Sequence, residues 1–111
     1  MKIAIPTMGG RLSSHFGHCE AFTLFETDAQ GEILERIELT PPSHEPGVLP
    51  RWLKTQGVET VIAGGMGMRA QNLFAEQGMQ VCVGAADDEL ETLVKAFLAG
   101  TLRAGANPCD H

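Results

Sequence analysis

The sequence predicts an α/β protein: a mixed five-stranded sheet in a three-layer α/β/α arrangement. Two observations carry this. The second half of the chain alternates short apolar β-type segments with helical periods, the pattern of βαβ units and parallel strands. The first half has two strands joined by a turn signal after an opening strand, which implies antiparallel neighbours.

The elements follow in order. Lys2-Ile3-Ala4-Ile5 reads as a strand stopped by Pro6, and Thr7 to Glu20 as a long loop of Gly, Ser and His. Phe22, Leu24 and Glu26 alternate with Thr23, Phe25 and Thr27, a strand apolar on both faces. Asp28-Ala29-Gln30-Gly31 is a turn, and Ile33, Ile37 and Leu39 share a period-2 face of the next strand, although Ile33, Leu34 and Ile37 would also suit a helix. Thr40 to Gly47 is too rich in Pro and Gly for a regular element. Val48, Leu49, Trp52 and Leu53 recur at helical spacing, with Pro50 tolerated in the first turn and Gly57 as the stop. Glu59–Ala63 is a strand, Gly64–Gly67 a turn, and Ala70, Leu73 and Phe74 the inner face of a helix ended at Gly78. Gln80–Val83 is the last strand. Leu90, Leu93, Val94, Phe97 and Leu98 mark a helix stopped by Gly100, with Asp88 and Glu91 in capping-box positions. The order is β-β-β-α-β-α-β-α, with one domain over residues 1–100 and a polar tail over 101–111.

Strand directions then place the loops. If the first strand points up, the first loop (7–21), the second loop (40–47) and the Gly64–Gly67 turn share the upper edge of the sheet. Open α/β sheets bind ligands at the carboxyl ends of their parallel strands.

Composition narrows the function. The chain has 111 residues and a formal charge of −6, without a Lys/Arg cluster, so a nucleic-acid backbone or an anionic membrane is not its partner class. A chain of this size buries roughly 65 % of its unfolded surface, enough for a core without staples. No apolar run approaches the roughly 20 residues of a membrane span, and the opening residues are too short and too soon broken for a signal peptide. The three cysteines are an odd count, which suits free or metal-bound thiols in a reducing compartment. These features predict a cytoplasmic protein.

The chemistry-bearing residues crowd the upper edge. Ser14-His15-Phe16-Gly17-His18-Cys19 sets two imidazoles and a thiol within five residues, either a metal-capable set or a solvated polar loop anchored by Phe16. Gly64-Gly65-Met66-Gly67 before a helix lets a ligand approach the backbone and meet helix-start N–H groups, with Arg69 adding charge; a plain tight turn has the same form. Met66 and Met68 are soft ligands, lid residues or packing. His44 lies on the same edge. Cys109 and His111 in the tail are a Cys-x-His ligand pair or part of a frayed terminus; about ten residues at roughly 3.3 Å each would let them reach the upper edge. Cys82 reads as a small buried hydrophobe in a strand. No Ser/His/Asp elbow and no paired carboxylates stand near the loops, so enzyme chemistry is poorly supplied.

At these residues the sequence resembles a known family. Ser14-His15-Phe16-Gly17-His18-Cys19 with Phe22, then His44-Glu45-Pro46-Gly47-Val48-Leu49-Pro50, then Ala63-Gly64-Gly65-Met66-Gly67 with Ala70 and Phe74, are similar to the dinitrogenase iron-molybdenum cofactor biosynthesis family, in its small stand-alone NifX-like and NifB C-terminal-domain-like members. The resemblance runs from Lys2 to about Leu98. It implies a ribonuclease H-like fold without nuclease activity, and binding of metal–sulfur clusters or their precursors by carriers or assembly accessories. It does not tie the chain to nitrogenase.

The resulting expectation is a non-enzymatic carrier of a metal–sulfur cluster containing iron, molybdenum or copper. Arg11, Ser14, His15, His18, Cys19, His44, Gly64, Gly65, Met66, Gly67 and Arg69 would contact it, and His15, His18, Cys19, Cys109 and His111 are the candidate metal ligands. The alternatives are an adaptor for cofactor-assembly proteins that holds no metal, and a hydrolase or redox enzyme using Cys19 as a low-pKa thiol.

Overall fold

The computed structural model describes residues 1–13, 16, 19–42, 47–86 and 88–102. Its elements are β1 (Lys2–Met8), β2 (Arg11–Leu12), β3 (Ala21–Thr27), β4 (Ile33–Leu39), α1 (Val48–Thr55), β5 (Thr60–Ile62), α2 (Met68–Glu76), β6 (Gln80–Cys82) and α3 (Leu90–Ala99). The sheet runs β4-β3-β1-β5-β6, and the short β2 pairs with β1 alone. Strand β3 is antiparallel to β1 and to β4, whereas β5 and β6 run parallel to β1. The expected mixed sheet and element order are present, with β2 as an added strand.

Two cores flank the sheet. Leu49 and Leu53 of α1 and Phe74 of α2 pack on Ala4, Phe22, Leu24 and Val61. Leu90, Leu93 and Val94 of α3 pack on Ile3, Ile5, Phe25 and Ile62 of the opposite face. The three layers therefore follow from period-2 alternation in β1, β3 and β5, each apolar on both sides.

Strand β1 does not stop at Pro6. The Pro6 carbonyl accepts the Ser13 N–H at 2.9 Å, on the side of β1 away from β3. The imide nitrogen faces that same side, beyond the last β1–β5 pair at Ala4 and Val61, so proline removes no bond to β3 or β5 and forfeits only the reciprocal bond of the hairpin pair with Ser13. The strand then turns through Gly9 and Gly10, both with positive φ (61° and 78°), a two-residue hairpin turn that returns as β2. The Glu20 carboxylate accepts the Gly9 N–H at 2.7 Å and pins the turn.

In β4, Ile33, Ile37 and Leu39 do not share a face. Thr27 pairs with Ile33 but Glu26 pairs with Glu35, so Leu34 is an extra residue in the ladder. This bulge places Ile33 on the α3 side, while Leu39 packs on the α1/α2 core. A one-residue insertion reverses a period-2 pattern, and only the pairing register reveals it.

The helices end where the sequence places their stops. Val58 and Gly57 donate to the carbonyls of Leu53 and Lys54, and Met79 and Gly78 to those of Phe74 and Ala75. Gly57 and Gly78 have φ of 83° and 76°, the left-handed conformation such ends require. The expected capping box of α3 is absent. Glu89 is the N-cap, the Asp88 carboxylate accepts the Glu89 N–H, and Glu91 forms an ion pair with Arg36 at 3.3 Å.

Candidate functional site

The carboxyl ends of β1, β5 and β6 and the N-termini of all three helices meet at one edge. The first loop and the glycine turn are joined there directly. The Phe16 N–H donates to the Gly65 carbonyl at 2.8 Å. The Phe16 ring lies 5.4 Å from Phe74 and 5.9 Å from Phe22, edge-on to both, and Phe22 meets Trp52 at 5.8 Å. An aromatic chain thus runs from α1 through β3 and the first loop to α2, and fixes where the loop sits. Aromatic pairs of this geometry contribute about 0.5–1.5 kcal/mol each beyond their burial.

The glycine turn is braced from below. The Gly84 N–H donates to the Gly64 carbonyl at 2.7 Å, and Ala85 to Ala63 at 3.1 Å. The Gln71 side chain donates to the Met66 carbonyl at 2.8 Å, and the Gln71 N–H to the Gly67 carbonyl. Gly64 and Gly65 are buried, and Gly67 is the N-cap of α2 with φ −66°. A Cβ on Gly67 would meet no atom within 4 Å, so the space before the α2 N-terminus is open.

Electrostatics leaves this edge without its usual side-chain caps. Helices α1 and α2 begin at Gly47 and Gly67, with no side-chain capping bond and no acidic residue in the first turn. Among the described residues, their N–H dipoles therefore point at the edge with no carboxylate in the first turn to compensate them. Arg69 lies exposed in the first turn of α2.

The other expected site residues divide. Cys19 is 5 % exposed in the α1/α2 core, and burial pushes its thiol up to about 11. A thiol raised in this way does not match the low-pKa nucleophile that the enzyme reading calls for. Met66 is 1 % exposed and packs in the same core, whereas Met68 is 54 % exposed. Arg11 lines a cleft with Gly10, Arg36 and the first residues of α3. Cys82 is half-buried rather than buried, with its thiol also raised by desolvation. Ser14, His15, His18, His44, Cys109 and His111 lie outside the described residues. Among the described residues no three His, Cys, Asp or Glu side chains form a metal-holding group.

Three contributors escape sequence reasoning: Gln71, the Gly84–Ala85 brace and Trp52. Gly9-Gly10, between Thr7-Met8 and Arg11-Leu12, carried the hairpin signal for β2.

The family described as "Dinitrogenase iron-molybdenum cofactor" matches over residues 1–100. The chain belongs to this family. Membership implies involvement in binding or biosynthesis related to such a cofactor. An uncharacterized protein of Methanocaldococcus jannaschii is 35 % identical over 107 residues, spanning 92 % of this chain and 89 % of its own. The crystal structure of PH0822 superposes with a TM-score of 0.85 at 27 % identity, covering 95 % of this chain and 96 % of that one. The apo orange protein of Desulfovibrio gigas superposes at a TM-score of 0.75, with 21 % identity over 96 % and 94 % of the two chains, a likeness of fold. No helix among the described residues is long and apolar enough to cross a membrane.

Proposed function

We propose that this protein is a non-enzymatic, cytoplasmic carrier whose cargo is a metal–sulfur cluster or a thiometallate precursor, held at the glycine-turn edge. The supporting observation is the Phe16–Gly65 hydrogen bond, because it sets the loop that carries His15 and His18 in sequence against the turn that opens α2. Metal–sulfur cargo is anionic and presents polarisable sulfur acceptors. The α2 N-terminus offers N–H donors with no capping carboxylate in competition, and Gly67 leaves room for a bulky anion. Arg69 adds positive charge. His15, His18 and His44 supply imidazole nitrogens as ligands or N–H donors. Cys19, a neutral core thiol, supports the loop from beneath. In this arrangement the protein binds, shields and releases its cargo; no residue is required to move a proton or form a covalent bond.

The test is uptake of tetrathiomolybdate or iron–sulfide by anaerobically purified, tag-free protein, followed through desalting by metal analysis and visible absorption. Wild type should retain near-stoichiometric metal with charge-transfer bands. Arg69→Gln and the pair His15→Ala with His18→Ala should each weaken retention about tenfold or more, the scale of losing a charge-assisted contact. A wild-type protein that retains neither cargo would overturn the reading and leave an adaptor of cofactor assembly in its place.

A further inference from the structure

Among the described residues strand β4 ends the sheet, and its outer side is defined residue by residue. Thr27 donates its N–H to the Met1 carbonyl at 2.8 Å, and the Met1 amino group donates to the Thr27 carbonyl at 2.8 Å. Alternation from this mutual pair turns the backbone groups of Phe22, Leu24 and Glu26 toward β4. Their partners Leu39, Ile37 and Glu35 bond β3. The N–H and C=O groups of Arg36 and Glu38 therefore point away from the sheet.

The side chains sort by face. Arg36 stacks 5.4 Å from the Phe25 ring centroid and pairs with Glu91 of α3, so Arg36 and Glu38 stand on the α3 side. Ile37 stands on the other side, 38 % exposed. A second copy added antiparallel about a two-fold axis normal to the sheet keeps each face on its own side. With outward backbone groups opposed, the register centred on Arg36 sets two guanidiniums against each other, and the register centred on Glu38 sets two carboxylates together. The register centred on Ile37 places Ile37 against its own copy. It also sets Arg36 opposite Glu38 at both symmetric positions, where the outward backbone groups exchange bonds. Aliphatic and opposite-charge cross-strand pairs are both favourable.

We propose that β4 pairs antiparallel with β4 of a second copy, with Ile37 on the two-fold axis and Arg36 facing Glu38, joining two sheets into one. Neither proline nor lysine interrupts Ile33–Leu39, the devices that blunt many sheet edges. The bulge at Leu34 and Pro41-Pro42 beyond the strand confine the contact to its centre. A contact this short, with ion pairs at its rim, gives a dimer that dissociates on dilution and weakens as salt rises.

Sedimentation velocity on the full chain over a concentration series tests this. Wild type should show a concentration-dependent dimer. Glu38→Arg should raise its dissociation constant about tenfold by opposing like charges, and Ile37→Lys should do the same. Adding Arg36→Glu to Glu38→Arg restores opposite charges in this register alone, and should return the constant to near wild type. Amide exchange on wild type is independent of any variant's folding: protection at Arg36 and Glu38 should grow with concentration, while that at Ile37 stays constant. A wild-type chain monomeric at all concentrations would overturn the proposal. So would a dimer indifferent to Glu38→Arg, or a double variant that fails to recover it.

Discussion

The two edges of the sheet are finished differently. At the lower edge the C-termini of α1 and α2 are closed twice over. Gly57 and Gly78 turn the chain back onto the last carbonyls, and lysines take what remains: Lys2 donates to the Gln56 carbonyl at 3.0 Å and Lys54 to the Gln77 carbonyl at 2.6 Å. Cations at helix C-termini also suit the dipole. At the upper edge the same two helices begin at glycines, with no side-chain cap and no acid in the first turn. Among the described residues, these two helices have their C-terminal carbonyls taken and their N-terminal donors without a side-chain cap. That contrast supports the proposed site more than any single motif does, because an uncapped N-terminus has donors to give an anion.

The largest expected effect comes from uncoupling the upper edge from the core. Phe16 is nearly buried, touches Phe22 and Phe74, and is the anchor between the first loop and the glycine turn. Phe16→Ala should cost about 3–5 kcal/mol by urea unfolding, the range for a buried aromatic truncated to alanine. Leu93→Ala on the α3 face should cost about 2–5 kcal/mol. The two should differ in cargo: at equal folded fraction, Phe16→Ala should lose thiometallate retention and Leu93→Ala should keep it. Equal retention in both would mean that the loop is not held by its aromatic anchor.

Most of the fold was legible because its signals are local. The helical periods at Val48–Leu53 and Leu90–Leu98, and the stops at Gly57, Gly78 and Gly100, are read within one element, and the structure has them. What escaped depends on pairing. Whether Pro6 ends β1 turns on which side its nitrogen faces, and whether Ile33 shares a face with Ile37 turns on a bulge. The family resemblance is confirmed over residues 1–100. The site was less legible. A motif cannot tell a thiol at the surface from one in the core. Cys19 and Met66 sit among site-type residues in sequence yet are buried. Asp88 and Glu91 had capping-box spacing, but Arg36, distant in sequence, takes Glu91.

Cys19 sharpens the comparison through pH. Its folded thiol is raised from 9.0 to about 11 by burial. The folded state therefore holds its proton more tightly than the unfolded chain. Stability from this group is complete below pH 9 and is lost as pH rises toward 11, on the order of 2 kcal/mol in total. Cys82, raised by the same cause, acts in the same direction. Unfolding free energy measured at pH 7 to 11 should fall more steeply for wild type than for Cys19→Ala, although the variant starts lower. Parallel curves would mean that Cys19 is solvated, and would return it to the list of exposed ligands.

The smallest effect compares glycine with glycine. Gly57 and Gly78 need left-handed backbone, and a Cβ there would meet only lysine side-chain atoms at 3.9 Å or beyond, so strain arises from φ alone. Gly57→Ala and Gly78→Ala should each cost about 1–2 kcal/mol. Gly67 has φ −66° and open space around it. There, the loss of a glycine N-cap, about 0.5 kcal/mol, is offset by the roughly 0.4–1 kcal/mol gained from a less flexible unfolded chain. Gly67→Ala should thus fold as well as wild type, yet set a methyl group where a ligand would approach the α2 N-terminus. Thermal unfolding and thiometallate retention, measured on all three variants, separate the two roles. The lower glycines should lose stability and keep cargo per folded molecule; Gly67→Ala should keep stability and lose cargo. A Gly67→Ala protein that retains cargo fully would show that the ligand does not approach this helix end, and would leave the uncapped N-termini to solvent.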